Sequence, residues 1–122
     1  MGQFTVQYLP EEEIIRVHLK GAFDAQSFSM TTSKVAEEAS RSNCSHILMD
    51  HREATRHLST TEIFERPKIA LKFGLSRASK IALVYSTKED DYQFVETVGK
   101  NRGFDVKVFA DMDEAIRWLK TH

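Results

Sequence analysis

The sequence predicts an α/β domain built on a mostly parallel five-stranded sheet with four helices, in the order β-β-α-β-α-β-α-β-α. Three observations predict it. The short runs HILMD (46–50) and KIALVY (80–85) have the unbroken apolar character of strands buried on both faces. The stretches between them carry apolar residues three and four apart, the spacing of one helix face. At 122 residues and 14.0 kDa the chain is one domain's worth, so 1–122 is read as a single domain with one core.

The elements follow in order. Residues 3–9 (QFTVQYL) alternate polar and apolar side chains, Pro10 and Glu11-Glu12-Glu13 interrupt, and 14–19 (IIRVHL) form a second β-rich run, which together read as a hairpin closed by Gly21. From Asp24, a good N-cap, Ala25, Phe28, Thr32, Val35, Ala36 and Ala39 line one side of a helix that ends near Asn43. The third strand, 46–50, leads into a loop over 51–58. Ser59 and Glu62 then stand at capping-box spacing and open the second helix. That helix contains Pro67, which removes an amide proton and clashes with the preceding turn, so a kink or two short pieces are expected. After the fourth strand, a helix over 89–101 buries Tyr92, Val95 and Val98, with Phe94 a further candidate, and Gly103 caps it in a left-handed conformation. The fifth strand is 104–109 (FDVKVF). Asp111 and Glu114 open a last helix that docks Ala115, Ile116, Trp118 and Leu119 on the sheet.

Composition excludes several classes. A hydrophobic fraction of 41% with 29% charged residues is that of a globular protein, and no apolar run approaches the roughly 20 residues needed to span a bilayer. The amino terminus lacks the pattern of a secretion signal, and the single Cys44 fits a reducing compartment, so a cytoplasmic location is expected, with peripheral attachment to a membrane as an extension. The formal charge of −1 hides an imbalance, because residues 51–80 hold seven Lys/Arg against three acids. Nucleic acid is not expected as a partner, since phosphate neutralisation needs cations over a whole surface. A local basic face could still meet an anionic lipid surface, a phosphorylated ligand or an acidic protein.

The pieces HILMDHRE, KIALVYS and NRGFDVKVFADMDEAIRWLK, in this order, resemble the SpoIIAA-like group of STAS domains, also grouped with CRAL-TRIO-type lipid-binding proteins. The resemblance covers the chain from about Phe4 to Lys120. It implies a STAS-like domain without an established catalytic site, suspected of binding lipid-like or other apolar ligands or of associating with membranes, and with a second helix able to move. The phosphoswitch members of the wider STAS group place a phosphorylatable serine just after the third strand, in an Asp-Ser-Ser-Gly pattern. Here Asp50 is followed by His51-Arg52-Glu53-Ala54, so that serine is absent at that place, with Thr55, Ser59, Thr60 and Thr61 as nearby hydroxyls.

Candidate chemistry is sparse. Asp50, at the end of a parallel strand, lies where open α/β sheets place ligands, beside His51, Arg52, Glu53 and His57. No nucleophile with a base at recognisable spacing accompanies it, and no catalytic residue is assigned. His46, His51 and His57 lack a metal-binding spacing, and the five glycines form no phosphate loop, so neither metal nor cofactor is expected. The second helix is more apolar than a simple packing face requires, with Ile63, Phe64, Ile69, Leu71, Phe73 and Leu75 interleaved with Arg66, Lys68 and Lys72. That is the composition of a cover over an apolar cavity, or of a helix lying on an anionic membrane. The ordinary alternative is that these side chains pack on the sheet or in a homodimer interface. The expected ligand-binding set is therefore Asp50, Ile63, Phe64, Arg66, Lys68, Leu71, Lys72 and Phe73. The expected function is non-enzymatic binding of an apolar or amphipathic, lipid-like molecule, with a regulatory protein-interaction module of the STAS type, docking a protein partner, as the alternative.

Overall fold

The computed structural model describes residues 3–56, 60–76, 78–85, 90–101 and 103–121; the side chains of 56, 60, 63, 64, 67 and 90–95 lie outside that description. The elements are β1 (Gln3–Leu9), β2 (Ile14–Phe23), α1 (Ala25–Ser42), β3 (His46–Arg56), α2 (Thr60–Lys72), β4 (Lys80–Val84), α3 (Asp90–Asn101), β5 (Asp105–Phe109) and α4 (Met112–Lys120). This is the order expected from the sequence. The strands lie in sequential order across one sheet, with β1 antiparallel to β2 and every other neighbouring pair parallel.

Strand alternation divides the core in two. Ile15, Val17 and Leu19 of β2, Ile47 and Met49 of β3, Leu83 of β4 and Val106 and Val108 of β5 face α1, α2 and α3. Ile14, Leu48, Ala82, Val84 and Phe109 face the other way and receive Ala115 and Leu119 of α4. α4 touches β3, β4 and β5, and among the described residues nothing covers the same face of β1 or of β2 beyond the buried Ile14. Trp118, expected in the core, is only half-buried, with its ring 5.6 Å from that of Phe109 and the Lys80 ammonium 4.5 Å above it.

The helix ends obey the local rules. Asp24 accepts from the Ser27 amide at 2.8 Å, and Asp111 accepts from the amides of Asp113 and Glu114 at 2.8 and 3.4 Å. Gly103, at φ 91°, turns the chain out of α3 with Phe104 N–H on the Gly99 carbonyl and Gly103 N–H on that of Lys100. Within α3, Gly99 serves a different need, because a Cβ there would lie 2.9 Å from Val106 Cγ2 and 3.3 Å from Val106 Cβ. Rotating the valine relieves the first contact and not the second. Gly99→Ala is expected to lower stability by about 1–2 kcal/mol, read as a shifted urea midpoint at unchanged slope.

Three expectations need correction. Gly21 does not close the hairpin: β2 continues to Phe23, with Gly21 at φ 83° inside the strand and paired with Ala54. β3 does not end at Asp50 but runs on to Arg56, so most of the expected loop over 51–58 is strand; residues 57–59, with Ser59 of the expected capping box, lie outside the described residues. α2 runs as one helix through position 67, because it is held between α1 and α3 and this packing overrides the local cost of proline. Of the expected α3 face, Val98 is buried, while Tyr92, Phe94 and Val95 fall outside the description.

Candidate functional site

α2 rests chiefly on α1 and α3 instead of lying down on a strand. That arrangement leaves an apolar cavity of about 80 Å³ between it and the sheet. Its floor is Ile47, Met49, Leu83 and Val106, and its roof is Ala70 with Arg66 and Leu75. Arg66 and Ala70, one turn apart, share the cavity side of the helix. The Arg66 guanidinium lies over the aromatic rings of Phe28, at 4.7 Å, and Phe23, at 5.8 Å. Lys68 and Lys72 point away and are exposed, so the three cations of the expected ligand-binding set are not brought together. Leu71 is half-buried against the core and Phe73 is 40% exposed. Ile63 and Phe64 lie outside the described side chains.

Beside Arg66, at the end of the sheet where β4 stops, stands a feature that the sequence reading placed in a loop. His51 follows Ile47 and Met49 at strand spacing and turns into the α1–α3 side of the core, only 5% exposed. It stacks on Tyr85 at 4.7 Å and meets the Phe23 ring edge-on at 5.2 Å. Its Nε2 has no hydrogen-bond partner among the described residues. Burial, and secondarily the Arg66 charge, drive its pKa down to about 3 against a smaller opposing pull from Asp50, so the imidazole is neutral. The i, i+2, i+4 spacing of Ile47, Met49 and His51 is the sequence signal that could have found it.

Asp50 lies on the opposite face of the sheet, in register with Val84 and His18. The structure therefore does not bring it together with the α2 residues. A bulge between Asp50 and Glu53 places one extra residue on β3 and turns Arg52 and Glu53 toward the same uncovered face. Arg52 grips the Asp50 carboxylate through Nε and an Nη, both at 2.9 Å, and adds its backbone amide at 3.1 Å. Arg16 stands 4.0 Å off, and His18 pairs with Glu53 at 3.0 Å. Burial alone would raise the Asp50 pKa, but the hydrogen bonds and charge of Arg52 outweigh it and hold the carboxyl below its ordinary value. Its contribution is present above about pH 3.8 and fades as the pH falls below. Asp50→Ala is expected to cost about 1–2 kcal/mol, since the half-exposed Arg52 recovers water when its partner is lost; unchanged chemical denaturation would refute this structural role.

The group of polar residues around Asp50 is thus split by strand alternation, with Asp50 and Arg52 on one side and His51 on the other. His57 lies outside the described residues. Among the described residues no three potential metal ligands converge, and no helix is long and apolar enough to cross a membrane. The half-buried Cys44 donates its S–H toward the Glu13 carbonyl at 3.2 Å. β3 runs past Asp50 to Arg56 and α2 begins at Thr60, with Thr61 exposed in its first turn, while residues 57–59, Ser59 among them, lie outside the described residues.

A sequential sheet with one antiparallel edge pair, three helices on one face and a fourth on the other defines a STAS-type α/β domain. The chain belongs to the SpoIIAA-like family, whose model matches residues 14–120. Similar solved structures include an anti-sigma factor antagonist from Mycobacterium paratuberculosis, with a TM-score of 0.65, 13% identity, and 99% of this chain and 96% of that chain covered. An uncharacterized protein of the DUF3478 family with a SpoIIAA-like fold, from Shewanella loihica PV-4, gives a TM-score of 0.64 at 16% identity over 97% and 93% of the two chains. The anti-sigma factor antagonist SpoIIAA in its unphosphorylated form gives 0.62 at 12% identity over 98% and 100%. At these identities the likeness is one of fold. No curated protein matches the chain.

Proposed function

We propose that this chain is a non-enzymatic regulatory module that docks a protein partner through α2 and the strand-to-helix junction preceding it. The observation that carries the reading is the seating of α2 chiefly on α1 and α3, with Ala70 turned into the core while Lys68, Lys72 and, just past the end of the helix, Phe73 stay exposed. Support by analogy of fold comes from the anti-sigma factor antagonists, one of which is known in phosphorylated and unphosphorylated forms. A phosphate on Thr61 would sit in the first turn of α2, where helix amides favour an anion. The test is affinity capture from the protein's own cells. One stoichiometric protein is expected, and Phe73→Asp combined with Lys68→Glu and Lys72→Glu should release it while circular dichroism stays unchanged. Equal capture by wild type and variant overturns the docking surface.

A second reading, binding of an apolar or amphipathic small molecule at a membrane surface, is favoured by the cavity under α2. Size decides its rank. The cavity of about 80 Å³ is smaller than the roughly 150 Å³ that accommodates benzene in an engineered protein. A lipid chain therefore requires α2 to lift away from α1 and α3. Native mass spectra of the purified protein and co-sedimentation with anionic vesicles test this reading, and indifference in both removes it.

A further inference from the structure

The sheet has two edges, and they are built differently. β5 is five residues long, and its exposed Asp105 and Lys107 guard it with charge. β1 is seven residues long, QFTVQYL, with no charge and no proline, and it pairs with β2 one residue to one over its whole length. A long, regular, uncharged edge is the form that invites another strand, and natural edges avoid it by shortening, charges or bulges. Alongside it runs a groove of about 230 Å³, lined by Phe4 and Val6 of β1 and by Lys34, Glu37, Glu38 and Arg41 of α1. We propose that β1 is the seat of a two-fold dimer, in which it pairs antiparallel with β1 of a second copy about Val6.

Self-complementarity names the occupant. Pairing about Val6 sets Phe4 against the partner's Tyr8 and Thr5 against the partner's Gln7, each contact occurring twice as a two-fold axis demands. The half-buried Phe4, Val6 and Tyr8 share the α1 side, and the exposed Gln3, Thr5 and Gln7 share the other. Facing aromatic and β-branched pairs are those that stabilise antiparallel strands. The groove rim holds two cations and two carboxylates, so two copies meet edge to edge without net repulsion.

Light scattering across a concentration series is expected to show a mass twice 14.0 kDa for the wild type. Thr5→Lys with Gln7→Lys opposes like charges at both symmetric positions and should give the monomer mass with circular dichroism unchanged. Thr5→Lys with Gln7→Glu opposes unlike charges at the same positions and should keep the dimer. Val6→Cys, made in a Cys44→Ser background, should cross-link on oxidation, because facing Cα atoms about 4.5–5.5 Å apart lie within disulfide reach. A wild type that is monomeric at every concentration, a dimer indifferent to the double lysine variant, or loss of the dimer in both charge variants overturns the proposal.

Discussion

Between pH 7 and pH 5 the protein is expected to lose about 2 kcal/mol of stability through His51 alone, because its folded pKa of about 3 lies far below the unfolded value of 6.5. Above about pH 6.5 neither state binds the proton, and the full stability is present. As the pH falls below that, the unfolded chain takes up a proton that the folded core refuses, so each further unit costs about 1.4 kcal/mol until the imidazole is forced to charge. The refusal has a geometric cause: the ring lies between Tyr85 and Phe23, and the Arg66 guanidinium stands nearby. Asp50, Asp24 and Glu38 have pKa values lowered from ordinary carboxylate values, so their losses fall at lower pH and do not confuse the window. His51→Phe keeps an aromatic ring in the slot and removes the titration. Urea unfolding at several pH values should show a steep wild-type decline and a flat variant over this range. Parallel curves, or an imidazole resonance that titrates near pH 6.5, would refute the buried neutral state.

His51 also shows what could and could not be read from the chain. The element order, the caps at Asp24, Asp111 and Gly103, and the inward face of α1 were legible, because each depends on residues within one or two turns of one another. The second half of β3 was not legible, because HREATR has the polarity of a loop. It is a strand because β4 stops at Val84, so residues 53–56 have only β2 as a neighbour, and because α4 leaves the face carrying Arg52 and Glu53 open. Polar side chains are suited to such an extension. Gly21 misled in the same way, since its left-handed φ lies inside a strand and not after it. The excess apolar character of α2 was legible, but not the way its cations divide, with Arg66 on the cavity side and Lys68 and Lys72 outside. That division depends on how three helices seat against one another, and no local pattern encodes it.

The void under α2 fixes the second large effect. Leu83, 2% exposed in the central part of the sheet, forms part of its floor. Leucine-to-alanine changes in cores cost about 2–5 kcal/mol, and the cost rises with the volume that fails to collapse. Here the neighbouring walls, Met49, Ala70 and Val106, already stand around an uncollapsed space, so the new void joins the existing one. Leu83→Ala is expected near the upper end, about 4 kcal/mol, and to lower the melting temperature by roughly 15 °C in a domain of this size. The enlarged cavity is apolar and should approach the volume that accepts benzene, so saturating benzene is expected to raise the melting temperature of the variant and leave the wild type unmoved. A cost below about 1 kcal/mol would mean that α2 settles into the space, which would refute a void held open by α1 and α3. Stabilisation of the wild type by benzene would mean instead that α2 lifts readily, and would move the apolar-ligand reading ahead of partner docking.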